Sequence, residues 1–281
     1  MTKEHKKELE TLCLQFRGDL IDLLHEIQTG HPGGSLSCCE IVTTLYQDIL
    51  NVDPKDPKKP GRDHFVMSKG HAAPMLYLNL AEKGFFPKEE LKTLRQIDSR
   101  LQGHPCAHKT PGVEVSTGPL GLGLGVGLGL EIADKLQGYK DAYTYVLLGD
   151  GEIEEGSIWE AAMAAPKFKA DHLIAFLDSN GVQLDGTVEE IMPLGDLNAK
   201  WASFGWNVLN CNGHDVEEIE DAVAKAKENS GTPTIIIAKT VKGKGISFME
   251  GKNTWHGKAI DDESYRLAKQ ELEAARAALE A

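Results

Sequence analysis

No uninterrupted apolar stretch in this sequence is long enough to cross a bilayer. The least polar segment, TGPLGLGLGVGLGLEIA, carries glycine at nearly every second position. The amino terminus, MTKEHKKELE, is charged and lacks the apolar core of a secretory signal. No CxxC spacing occurs, and the five cysteines (Cys13, Cys38, Cys39, Cys106, Cys211) are odd in number and scattered. That usage points to reduced thiols in a cytoplasm. An excess of positive charge is also missing: the net charge is -13 and the pI about 5.2. An acidic surface repels nucleic acid and anionic lipid, so neither is an expected partner. Internal repeats and low-complexity linkers are absent, so residues 1–281 read as a single domain.

What is present is ordinary globular composition, 41% hydrophobic and 26% charged over 281 residues. Leu9, Leu12, Leu20, Leu23, Leu24 and Ile27 fall at helical spacing, so residues 5–28 are expected to form an amphipathic helix. TGHPGGSLS breaks it, and a helix resumes over Ser35–Ile49. HFVMS predicts a short strand before KGHAAP, with helices over Leu76–Lys83 and Pro87–Arg95. AYTYVLL (142–148), HLIAFLD (172–178), WNVLN (206–210) and TIIIAKT (234–240) are β-branched or aromatic runs alternating with helical patterns. The expected fold class is therefore α/β, a mostly parallel sheet with helices on both faces. From about Asp261 a helical tail follows. Ligands of such sheets bind at the carboxyl ends of the strands. The GDG, DSNG and KTVKGKG segments lie there.

LLGDGEIEEG stops an apolar run at an aspartate between two glycines and adds three glutamates within five residues. Taken alone, it serves equally as a helix-capping turn. Asn180 in LDSNG lies thirty residues after Asp150, a separation of one turn, one helix (about 153–165) and one strand. Both residues thus sit at the carboxyl ends of successive strands. A hard cation such as Mg²⁺ or Ca²⁺ takes an Asp carboxylate, an Asn amide oxygen and a backbone carbonyl, with phosphate completing the shell. Gly149 and Gly151 let the backbone approach a diphosphate, and the following helix start favours anions. This pairing is similar to the thiamine diphosphate motif.

Four of the ten histidines sit in turns broken by glycine or proline: His31, His71, His104 and His256. Histidine suits proton transfer and donates to phosphate and hydroxyl oxygens. The others (His5, His25, His64, His108, His172, His214) read as solvated or capping residues, and a zinc reading is weak. In the glycine-rich segment, Gly121, Gly125 and Gly129 are expected on one helical face with Gly123 and Gly127 beside it. So many helical glycines imply close packing against a cofactor, a helix or another subunit.

TGHPGGSLS, MSKGHAAPMLY, LQGHP, STGPLGLGLG, LLGDGEIEEGSIWEA, LDSNGVQLDG, AKTVKGKGI and WHGK occur in the order of the transketolases, which the chain resembles from about residue 10 to 260. The resemblance implies a thiamine diphosphate-binding fold and ketol transfer between sugar phosphates. It implies that Asp150, Asn180 and the Val182 carbonyl ligate a divalent metal (Mg²⁺, Ca²⁺ or Mn²⁺) and that Gly149 and Gly151 meet the diphosphate. His71 and His256 would lie at the diphosphate and reaction centre, and His31 and His104 at the donor's hydroxyls. Gly118 and Leu120 would contact the cofactor rings. Glu155 and Glu160 look like interface carboxylates that relay protons, Glu155 also at the cofactor, while Glu152 and Glu154 stay first-turn helix acids.

Transketolases are roughly twice this long; the second half binds the aminopyrimidine, activates it and clamps the substrate phosphate. The chain thus looks like the N-terminal subunit of a split transketolase. It is expected to work in the cytoplasm with a separate C-terminal subunit, two copies of each forming a heterotetramer. Related readings are a deoxyxylulose-phosphate synthase or ketoacid dehydrogenase subunit, which share the GDG-to-Asn motif, or a non-catalytic cofactor-binding module.

Overall fold

A computed structural model describes residues 1–280. Its helices are α1 (Lys3–Ile27), α2 (Pro32–Ser37), α3 (Cys39–Thr44), α4 (Ala73–Lys83), α5 (Gly123–Gln137), α6 (Gly156–Lys167), α7 (Val188–Ile191), α8 (Leu197–Ser203), α9 (Val216–Glu228) and α10 (Asp262–Glu280). Its strands are β1 (His64–Met67), β2 (Thr144–Gly149), β3 (Leu173–Ser179), β4 (Asn207–Asn212) and β5 (Thr234–Lys239). All pair in parallel, in the order β1-β2-β3-β5-β4. The expected α/β fold with a parallel sheet is what forms, and no described helix is long and apolar enough to cross a membrane.

The central strands are apolar on both faces because both faces are covered. Tyr145, Leu147, Ile174, Phe176 and Ile236 pack into one core with α1, α3, α4 and α9. Their neighbours Val146, Leu148, Ala175, Leu177 and Ile235 pack into the other core with α5, α6, Trp201 and Trp206. Period-2 alternation thus divides each strand between two cores.

Three expected elements differ. Ser35–Ile49 is not one helix: it breaks at Cys38 and ends in a π-helical turn, Leu45–Ile49. Pro87–Arg95 forms only a 3₁₀ stretch, Lys88–Thr93, none of whose residues is buried. Within it only Leu91, partly buried, packs against the core, too narrow an apolar face to reward a regular α-helix. Gly121 lies before α5 in a left-handed turn (φ 88°), outside the helix on which its spacing puts it. The helix after the GDG turn runs to Lys167, with Pro166 tolerated inside its last turn. Ala281, the end of the expected tail, lies outside the described residues.

The α5 glycines divide by face. A Cβ on Gly127 would come within 2.4 Å of Val146, and one on Gly123 within 2.9 Å of the Ser68 backbone. A Cβ on Gly129 would meet nothing within 4 Å, and one on Gly125 only Ala161 at 3.9 Å. Gly127→Ala is expected to destabilise the protein by about 1–3 kcal/mol through overpacking. Gly129→Ala should stabilise the isolated chain by up to about 1 kcal/mol, because alanine is the better helix former. Urea denaturation of both variants separates the faces; equal shifts would contradict the packing described.

His64 and His214 are not solvated. His64 is buried between Glu114 (3.2 Å) and Asp134 (3.1 Å). His214 donates from Nδ1 to Glu40 (2.9 Å), while its Nε2 accepts from the Val241 amide (2.8 Å). Glu40 is also paired with buried Arg17 (2.7 Å), and against the cost of burial the Arg17 charge and the hydrogen bonds from His214 and Arg17 hold its carboxyl down at about 2. Cys13, Cys39 and Glu40 bring possible ligand atoms within 4.8 Å of one another, but Arg17 and His214 already occupy that carboxylate.

Candidate active site

Parallel pairing of β2 with β3 sets Gly149 opposite Asp178, so the GDG turn and the DSNG turn leave the sheet side by side. Asp150, only 3% exposed, accepts from the Gly151 amide (2.9 Å) and, across the strands, from the Gly181 amide (2.5 Å). It forms no ion pair with any described cation. Burial, and then the neighbouring Asp178, raise its carboxyl to about 6. The Asn180 amide oxygen accepts from the Val182 N–H (3.1 Å). The Val182 carbonyl accepts from Lys242 Nζ (3.0 Å), which puts an ammonium beside the three oxygen donors.

A cavity of about 170 Å³ opens at these strand ends. The GDG glycines, Asp150 and Asn180 form one wall, and Lys69, His71, Lys242 and His256 face it. Leu120 contributes the apolar edge and is 40% exposed. A larger cavity, about 690 Å³, lies between residues 56–62 and 107–114, by the amino end of β1. Ligands of parallel sheets bind at the opposite, carboxyl end, and the Arg62 guanidinium there is already held by Glu114 (2.6 Å).

The four turn histidines converge. The His31 ring centre lies 5.5 Å from that of His71, 6.1 Å from His104 and 5.4 Å from His256, while His71 and His256 are 4.9 Å apart. Glycine makes the cluster possible, since a Cβ on Gly34 would come within 2.9 Å of His71 Nε2. Burial, then Arg95, lowers His31 to about 4. Burial, then Lys242, lowers His256 to about 3. Burial, then Lys69, pushes His71 well down, and burial with Arg95 lowers His104. All four are therefore neutral near pH 7, able to accept a proton or donate one hydrogen bond each.

Several residues gain roles that sequence reasoning does not assign. Glu152, expected as a first-turn helix acid, is 2% exposed. It accepts from Ser68 Oγ, the Gly121 amide (2.9 Å) and the Gly149 amide (3.0 Å), so one carboxylate ties the SKGHA, GPLG and GDG turns together. Buried Lys69 donates to the Gly34 carbonyl (2.8 Å) and to Asp178. Lys242, lowered to about 8 by burial and then by Lys69, also faces His256 Nδ1 at 2.9 Å. Their position in the strand-end turns is the available signal. Gly118 packs against His104, 3.5 Å from its would-be Cβ. Glu155 and Glu160 are exposed outside the cavity, Glu155 at the amino-terminal boundary of α6 and Glu160 on that helix.

Residues 11–278 match the family described as "Transketolase, thiamine diphosphate binding domain". The chain belongs to the transketolase family. It is 44% identical to an apulose-4-phosphate transketolase subunit of Phocaeicola vulgatus over 94% of this chain and 95% of that one. It is 43% identical to the 6-deoxy-6-sulfo-D-fructose transketolase subunit of a Clostridium species, over 96% and 98%. The crystal structure of Campylobacter jejuni transketolase superimposes with a TM-score of 0.88 at 32% identity, over 99% of this chain but 46% of that one. The chain thus spans nearly the whole length of these transketolase subunits and less than half of the single-chain enzyme. It is a transketolase subunit, the thiamine diphosphate-binding part of a transferase of ketol groups.

Proposed function

We propose that this chain supplies the diphosphate and metal half of a two-chain transketolase site, completed by a separate C-terminal subunit, with two copies of each chain. Asp150, the Asn180 amide oxygen and the Val182 carbonyl would hold a divalent cation, Mg²⁺ being the first choice. The observation that carries this reading is the Asp150 carboxylate: buried, without a cation of its own, and facing a cavity rimmed by glycine, lysine and histidine. Hard oxygen donors and a diphosphate are what such a cation takes. Thiamine diphosphate, when bound, supplies the electron sink for carbon–carbon cleavage.

This chain's own residues bind, orient and move protons. Gly149, Gly151 and Lys242 hold the anionic end, and His71 and His256 donate to it. Gly118 and Leu120 meet the rings. Neutral His31 and His104 hydrogen-bond the ketose hydroxyls. The cavity, about 170 Å³, is smaller than the roughly 300–1,000 Å³ of a complete small-molecule site, which supports a second wall from another chain. Exposed Leu122, just before α5, Val126 on α5 and Met163 on α6 (54%, 38% and 63%), with Glu155 and Glu160 at and on α6, fit the face where copies pair and those glutamates meet. The two relatives are named for ketoses with an anionic end, a phosphate in one and a sulfo group in the other. We take an anionic ketose as the donor here.

Calorimetric titration of thiamine diphosphate into the assembled subunits checks the metal. Binding is expected with Mg²⁺ and should disappear with a chelator; binding indifferent to the chelator removes the cation from the account.

A further inference from the structure

Half-buried Arg95 stands apart from the buried cations of this chain. Its backbone is left-handed (φ 62°), and its amide donates to the Leu101 carbonyl at 2.9 Å. That conformation is rare for a residue with a side chain and persists only where surrounding contacts hold it. It delivers the guanidinium to the histidine cluster. One terminal nitrogen donates to Thr29 Oγ1 (3.0 Å), and the other faces His31 Nδ1 at 3.3 Å. Arg95 Nε is buried with no hydrogen-bond partner, and among the described residues no carboxylate pairs with the group. Gly103 lies flat against it: a Cβ there would come 3.2 Å from Nε and 3.3 Å from Cζ.

A guanidinium only donates. His31 Nδ1 must therefore present its lone pair to Arg95, which leaves the ring neutral with its single proton on Nε2. That nitrogen has no described partner and lies beside Gly257, in the turn that carries His256. We propose that Arg95 is a positioning residue that fixes His31 as the Nε2–H tautomer, making His31 an obligate hydrogen-bond donor to an oxygen of the ketose. The burial of His31 and the charge of Arg95, which together lower its pKa, act in the same sense. With the tautomer free, Nε2 would spend part of its time as an acceptor, and the donor offered to the ketose oxygen would be lost for that fraction. The role of His31 toward the ketose rests on the function proposed above; the tautomer itself does not.

The test uses ¹⁵N-histidine-labelled chain and three variants, Arg95→Leu, Arg95→Lys and Gly103→Ala. In the wild type, His31 Nδ1 should resonate as an unprotonated nitrogen and Nε2 as a protonated one. Arg95→Leu should give the averaged shifts of a mixed tautomer, and Arg95→Lys, which keeps a donor, should restore the single form. Gly103→Ala crowds the guanidinium at Nε and Cζ while keeping its charge, so it should weaken the contact with His31 and move the shifts toward the mixed form even if Arg95→Leu folds poorly. In the assembled enzyme, Arg95→Leu should lower kcat for ketose cleavage by about tenfold to 100-fold, the range for a lost donor or proton-transfer partner, at unchanged thiamine diphosphate affinity. An unchanged His31 tautomer in Arg95→Leu and Gly103→Ala would overturn the inference. Wild-type subunits without ketol transfer would instead overturn the functional reading and leave the tautomer result standing.

Discussion

Asp150→Ala abolishes metal-dependent binding of thiamine diphosphate while the fold survives. The carboxylate sits in the turn after β2, so no core contact is lost. Its loss removes the one anionic oxygen donor of the proposed set. Loss of a supporting residue around a metal site costs about 10–100-fold in affinity; loss of the charged ligand itself should exceed that. Asn180→Ala should act in the same direction, since its amide oxygen belongs to the same wall. There is a second consequence. In the metal-free chain Asp150 is a buried carboxylate beside Asp178 with no cation of its own, a destabilising arrangement. Asp150→Ala should therefore melt no lower than the wild type without metal, and the wild type alone should gain stability on adding Mg²⁺ and cofactor. Titration calorimetry and thermal melts check both; equal cofactor affinity in the variant would remove Asp150 from the site.

Lys69→Met is expected to be among the most destabilising single changes in the chain. Lys69 is 1% exposed and Asp178 fully buried. The pair ties the turn after β1 to the end of β3; Ser37 Oγ (2.6 Å) and Thr240 Oγ1 also donate to the same carboxylate. Burial opposes both charges, and each holds the other ionised: Lys69 is raised and Asp178 lowered. Breaking such a pair on one side leaves an uncompensated buried charge, at a cost of about 3–5 kcal/mol. For a protein of this size that is a fall in melting temperature of roughly 10 °C. Lys69→Met combined with Asp178→Asn should recover much of the loss, because no bare charge remains. A double variant as unstable as the sum of the singles would show that the ion pair is not the reason.

Residues with a local signature are legible in the sequence, and the long-range charges are not. β2, β3 and β5 emerge close to the apolar runs that announce them, because strands buried on both faces have no polar positions to blur the pattern. Asp150, Asn180 and the four histidines stand out because glycine and proline punctuate strand ends and loops. Pro87–Arg95 misleads because its charged and apolar residues imitate a helix, yet only Leu91 and Leu94 reach the core. Lys69 and Asp178 are 109 residues apart in the chain, and a single lysine or aspartate in a sequence reads as solvated. Glu152 is hidden for a related reason: it stands among Glu154 and Glu155, and only the fold shows which of the three turns inward.

The central claim is that this chain holds half of a ketol-transfer site. The most direct measurement is a transketolase assay on the purified chain, alone and with a second chain carrying the pyrimidine-binding and C-terminal domains. Thiamine diphosphate, Mg²⁺ and an anionic ketose donor are present in both arms, and the mass in solution is recorded alongside. The chain alone should show no ketol transfer, and the two together should be active as an assembly containing two copies of each. Full activity from this chain as a monomer would contradict the account.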